Sequence, residues 1–114
     1  MQAQLIIVDG AADEPPIELN LPATIGRGVT AGIRLRQPLI SREHCLLFEQ
    51  RGMLFVRDLG SLNGTYIGSL KITEQVLPPG ELLTVGMVTF RSVYELTLDD
   101  SLGLEETNSE PDKG

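Results

Sequence analysis

The sequence predicts an all-β domain, a sandwich or barrel assembled from many short strands. Apolar or alternating runs of strand length recur along most of the chain, and glycine, proline or asparagine interrupts them. No apolar stripe of helical period reaches the length of a helix.

Taken in order, Leu5 to Val8 is the first run and Asp9-Gly10 closes it. Ile17 to Leu19 follows Pro15-Pro16, and Ala23 to Ile25 ends at Gly26-Arg27-Gly28. After Ile33 to Leu35, Pro38 biases Gln37 toward extended backbone, so Arg36 to Ile40 reads as a loop leading into Ser41-Arg42-Glu43-His44. Cys45 to Gln50 and Met53 to Asp58 form the clearest hairpin, because two β-rich runs enclose the two-residue turn Arg51-Gly52. Asn63-Gly64 marks a further turn, and no run is assigned between Thr65 and Leu77. Beyond Pro78-Pro79-Gly80 come Leu82 to Val85, Gly86, Val88 to Phe90, a turn within Thr89 to Tyr94, and a last run from Tyr94 to Leu98. Periodicity then stops. Residues 1–98 read as one folded domain, and 99–114, acidic and without aromatics, as a disordered tail or linker.

With 114 residues and 41% hydrophobic content, the chain has material for one core. No apolar run approaches the roughly 20 residues that cross a bilayer, and Met1-Gln2-Ala3-Gln4 does not open a signal peptide. A soluble, cytoplasmic protein with no membrane partner is the expectation. Cys45 and His44 are the only cysteine and histidine, so an internal disulfide and a Cys/His metal cluster are excluded within one chain. No metal or other cofactor is expected.

The net charge is −7, which argues against nucleic acid as a partner. Its distribution is uneven. Six acids against Lys113 give the segment 99–114 a charge of −5 and leave −2 for the rest. Between Gly26 and Ile72 the balance is +4, from seven basic residues against Glu43, Glu49 and Asp58. That basic middle suits an anion.

Three loop segments carry the polar chemistry: Gly26-Arg27-Gly28, Ser41-Arg42-Glu43-His44, and Ser61-Leu62-Asn63-Gly64-Thr65. Guanidinium forks, hydroxyls, an amide and glycine-exposed backbone N–H groups together suit a phosphate, and loops at one end of a β scaffold are where such groups gather.

On these residues the chain resembles the forkhead-associated (FHA) family, whose pattern is Gly-Arg, then Ser-x-x-His, then Ser-x-Asn-Gly-Thr after a hairpin. The likeness runs from about Leu5 to Leu98. It implies a two-sheet antiparallel β-sandwich of about eleven short strands with ligand loops at one end, the FHA/SMAD-like arrangement. It also implies a module that binds phosphothreonine in partner proteins, substrates of a Ser/Thr kinase, as a monomer or as part of a longer chain. The resemblance assigns phosphate contacts to Arg27, Ser41 and Arg42, and makes Ser61 and the backbone at Leu62 the opposite wall. Asn63 would bond the peptide main chain, while Gly26, His44, Gly64 and Thr65 would support the loops. Leu62 stands where many relatives carry a phosphate-binding threonine, and Gly68 follows Ile67 where they repeat an asparagine. The alternative use of such a fold is docking through sheet surfaces without phosphate.

Catalysis is not expected. Neighbours such as His44 and Cys45 point to opposite faces of a strand, no acid is placed to orient His44 against Ser41 or Cys45, and Gly26-Arg27-Gly28 opens no helix as a P-loop would. Thr107, in an acidic setting that suits some kinases, is a candidate phosphosite able to occupy the chain's own pocket, although an inert linker is the simpler expectation. Peptide preference is expected to depend on Val29 to Gly32, Leu35 to Ile40 and the Thr89 to Tyr94 turn.

Overall fold

The computed structural model describes residues 1–10 and 14–96. Among them are eleven strands and no helix: β1 (Ala3–Asp9), β2 (Ile17–Glu18), β3 (Ala23–Gly26), β4 (Ile33–Arg34), β5 (Cys45–Gln50), β6 (Met53–Asp58), β7 (Thr65–Ile67), β8 (Leu70–Ile72), β9 (Glu74–Leu77), β10 (Leu82–Val85) and β11 (Val88–Tyr94). They form a six-stranded sheet in the order β2-β1-β11-β10-β7-β8 and a five-stranded sheet in the order β4-β3-β5-β6-β9. Neither sheet closes on itself, so the architecture is a sandwich. Every recorded pairing is antiparallel except β3 with β4, which run parallel with Ile25 opposite Ile33 and Gly26 opposite Arg34.

Period-two alternation builds the core. Cys45 and Leu47 of β5, Leu54 and Val56 of β6, and Ile25 of β3 face Leu5 of β1, Leu83 and Val85 of β10 and Phe90 of β11, all fully buried. Each such large aliphatic or aromatic side chain removed from water stabilises the fold by about 1.5–3 kcal/mol. The β5–β6 hairpin runs from Cys45 opposite Asp58 to Gln50 opposite Met53. Its turn has φ of 55° at Arg51 and 78° at Gly52, the double positive φ whose twist matches the flanking strands.

The structure departs from the expected strands in two places. Thr65 to Leu77 holds β7, β8 and β9, strands of three or four residues, and two of them lie at sheet edges. Exposed Lys71, Glu74 and Gln75 obscure any alternation there, and charge is what an edge strand carries to avoid further pairing. The expected turn within Thr89 to Tyr94 is instead the body of β11, and Glu95 and Leu96 follow the strand rather than continuing it. Ser92 masks that strand in the sequence, because it points inward, is 1% exposed, and donates its hydroxyl to the Pro78 carbonyl at 2.7 Å. The proposed tail 99–114, with Thr107, lies outside the described residues.

Candidate anion-binding site

The end of β3, the start of β5, the end of β6 and the start of β7 meet at one end of the sandwich, and three loops rise from them. Gly26 lets the first two loops touch. A Cβ on it would lie 1.9 Å from the Arg42 carbonyl oxygen, so only glycine permits this approach. The loops are then laced by backbone bonds, Arg27 N–H to the Ser41 carbonyl at 2.9 Å and Gly28 N–H to the Arg42 carbonyl at 3.1 Å. Arg27 also donates its Nε–H to the Ile40 carbonyl at 2.9 Å. That bond fixes the side chain while leaving both terminal nitrogens of the guanidinium for a ligand.

His44 joins the second and third loops. Fully buried, it accepts the Ser41 backbone N–H at Nδ1 (3.1 Å), which leaves Nε2 to carry the proton and donate to the Gly64 carbonyl at 2.8 Å. The imidazole thus meets Ser41 through its main chain, not its hydroxyl. The Ser41 hydroxyl oxygen accepts the Leu62 N–H at 3.0 Å, so its own proton remains available to an acceptor outside the protein. Asn63 donates one amide hydrogen to the Leu39 carbonyl at 2.8 Å, tying the third loop to the segment before Ser41, and keeps its Oδ1 and second hydrogen for other partners. The Leu62 side chain is 88% exposed and contributes nothing to the core.

Asp58, a residue that the sequence reading passes over, organises the third loop. Its Oδ2 accepts the N–H groups of Gly60 (3.0 Å) and Ser61 (3.1 Å), and its Oδ1 accepts the hydroxyls of Ser61 (2.5 Å) and Thr65 (2.7 Å). Burial pushes this carboxyl up, but the bonds from Ser61, Thr65 and Gly60 outweigh it and hold the pKa below the ordinary aspartate value. Ser61 differs from expectation in consequence. Its hydroxyl donates to Asp58 and accepts the Gly64 N–H at 3.0 Å, so it shapes the loop and has no hydrogen left for a phosphate. The Leu62 N–H, by contrast, is directed at the Ser41 hydroxyl. Gly64, at φ 89°, makes the turn that brings these groups together, and Thr65 is buried beneath them.

Electrostatically, the site is open and basic. Arg27, Arg34 and Arg42, all exposed, line one groove with Thr30, Glu43 and Leu59. Among the described residues, none of the three arginines has a carboxylate within salt-bridge distance. Arg34 has no role in the sequence reading; the parallel β3–β4 pairing brings it here. Beneath the loops, burial first and then the charge of Asp58 push the Cys45 thiol up to about 12. Both His44 nitrogens are bonded to backbone, and Cys45 is fully buried beside it.

The chain is similar to known proteins in both sequence and fold. The FHA domain family model matches residues 23–86, which include all three loops. An FHA domain-containing protein, FhaB of Mycolicibacterium smegmatis, is 35% identical over 82% of this chain, which spans 59% of that protein's length. A solved structure described as a structural and functional analysis of phosphothreonine-dependent FHA domain interactions superposes with a TM-score of 0.74 at 25% identity, covering 83% of this chain and 98% of that one. The FhaA FHA domain complexed with the intracellular domain of Rv3910 superposes with a TM-score of 0.70 at 26% identity, covering 79% and 98%.

Proposed function

This chain belongs to the FHA domain family, and from that membership we propose that its loop end captures partner proteins by a phosphothreonine that a Ser/Thr kinase has placed on them. The observation that supports this most directly is the convergence of Arg27, the Ser41 hydroxyl and the Leu62 N–H, with Arg42 beside them, while neither Arg27 nor Arg42 has a carboxylate partner among the described residues.

A phosphothreonine carries about 1.5–2 negative charges at neutral pH and three strong acceptor oxygens. The Arg27 fork supplies two parallel donors, Ser41 a hydroxyl proton, Arg42 a second cation, and Leu62 a backbone N–H that exchanges Ser41 for a phosphate oxygen. Asn63 orients the peptide main chain next to the phosphate. Hydrogen bonds to charged groups contribute about 1.5–3 kcal/mol each, and desolvation with peptide ordering offsets much of the sum, so the dissociation constant falls on the order of micromolar. Burying the threonine methyl favours threonine over serine by about 0.8 kcal/mol. Asp58, Ser61 and His44 act through the loops they hold.

One observation favours docking without phosphate. The outer face of the five-stranded sheet carries half-buried Leu46, Phe48, Phe55 and Val76, with Phe48 and Phe55 stacked at 5.6 Å between centroids. Titration with a phosphothreonine peptide, its phosphoserine and unphosphorylated forms, and the Arg27→Ala variant separates the readings. The pocket requires binding to vanish without phosphate and to weaken at least about tenfold in Arg27→Ala. Affinity that survives either change overturns it.

A further inference from the structure

Resting on phosphothreonine capture and deepening it, we infer that Arg34 forms a second anion subsite beside the clamp, so that the domain selects partners with another negative charge close to the phosphothreonine. A carboxylate and a second phosphate share the required chemistry.

Placement comes first. Arg34 ends the two-residue strand β4, and the parallel pairing that sets it opposite Gly26 puts it beside the root of the Arg27 loop. There its Nε–H donates to the Arg27 carbonyl at 3.3 Å. The bond ties the guanidinium to the Arg27 loop and leaves its terminal nitrogens without a protein hydrogen bond among the described residues. Thr30, whose hydroxyl can also donate, lines the same groove of about 620 Å³. Among the described residues, Arg34 is neither ion-paired nor laid over an aromatic ring. Arg57 shows the contrast, bonded to Glu74 at 2.6 Å with its guanidinium carbon 5.0 Å from the Phe48 ring centroid.

Charge accounting makes the same point. Arg27 and Arg42 together match the roughly 1.5–2 negative charges of one phosphothreonine. Among the described residues, Glu43 is the one carboxylate lining the groove, and it forms no ion pair with any of the three arginines. When the clamp is filled, the terminal nitrogens of Arg34 still have no protein acceptor among the described residues. A planar fork of this kind accepts a carboxylate or a phosphate in the same bidentate geometry. Because an extended peptide advances about 3.3–3.6 Å per residue, an anion roughly one to four positions from the phosphothreonine reaches it.

The test uses fluorescence anisotropy with phosphothreonine peptides of neutral flanks, with one glutamate scanned through the four positions on either side, and with a second phosphothreonine replacing the best glutamate. The readout is the affinity ratio of acidic to neutral peptide, in the wild-type protein and in Arg34→Gln and Arg34→Lys. We expect a ratio of about five at the best position, larger for the second phosphate and shrinking as salt rises, because the subsite is exposed. In Arg34→Gln the ratio should fall to about one, with partial retention in Arg34→Lys, which keeps the charge and loses the fork. A wild-type ratio of one at every position overturns the subsite, as does a ratio that Arg34→Gln leaves intact. A larger gain from the glutamate than from the second phosphate identifies a carboxylate reader within the same proposal. Failure of phosphothreonine capture itself is a separate result, visible when an unphosphorylated form of the neutral peptide, titrated alongside, binds as tightly as the phosphorylated one.

Discussion

His44 and Gly64, twenty residues apart in the chain, are joined by a hydrogen bond of 2.8 Å from the imidazole Nε2–H to the glycine carbonyl. Because Nδ1 of the same ring accepts the Ser41 N–H, one buried side chain sets the spacing between the Ser41 hydroxyl and the Leu62 amide. Replacing His44 with alanine removes both bonds and opens a cavity, at a cost of about 2–4 kcal/mol in stability. Loss of this preorganisation should also weaken phosphothreonine-peptide binding by about tenfold, although His44 does not touch the ligand. Urea unfolding and peptide titration of His44→Ala check the two effects, and a variant that binds as tightly as wild type would show that the loops need no such bridge.

Asp58 gives the fold a dependence on acid. Its folded pKa lies below that of the unfolded chain, about 3.9. The stabilisation is therefore fully present above that unfolded value and is lost as pH falls through the folded one. Asp58→Asn keeps the shape but weakens four acceptor bonds, one of them from the buried Thr65 hydroxyl, and should cost about 1–2 kcal/mol at neutral pH. Urea midpoints of the two proteins should differ most above about pH 4.5 and converge as pH drops below the ordinary aspartate range. A gap of constant size would mean that the Asp58 charge plays no part.

Much of this site is legible in the sequence because its signals are local. Gly26, Asn63 and Gly64 mark where the chain must turn, and Arg27, Ser41 and His44 lie at strand ends that alternation predicts. What stays hidden depends on long-range register. Arg34 joins the groove only through the parallel β3–β4 pairing, and Ser61 turns inward because Asp58 waits three residues before it. That Asp-x-x-Ser spacing after a strand is a local capping signal, and it is the one clue that would have placed Asp58. β7 to β9 escape because strands of three or four residues are too short to display a period.

The burial of Cys45 predicts an inert thiol. With a pKa near 12 and no exposed surface, only about one thiol in ten thousand is ionised at pH 8 in the native state. Reaction with Ellman's reagent should be far slower than that of the urea-unfolded chain, and its rate should follow the opening of the fold. Rapid native labelling would contradict the structure at the base of the site.

Stability and binding should separate at the opposite end of the sandwich. Tyr94, at the end of β11, donates its hydroxyl to the Leu77 carbonyl at 2.6 Å and accepts the Leu54 N–H at 3.3 Å, so it spans from one sheet to strands β6 and β9 of the other. Burial pushes its pKa up, as expected of a phenol held neutral between backbone groups. Tyr94→Phe preserves the ring but leaves a buried carbonyl and a buried amide without their partner, which should cost about 1–3 kcal/mol. The loops at the far end rest on Gly26, His44 and Asp58, none of which contacts this hydroxyl. Peptide affinity measured well below the melting transition should therefore stay within about twofold of wild type. A Tyr94→Phe protein that loses affinity in step with stability would mean that the loop cluster and the sandwich base unfold as one unit, contrary to the independence expected of distant sites.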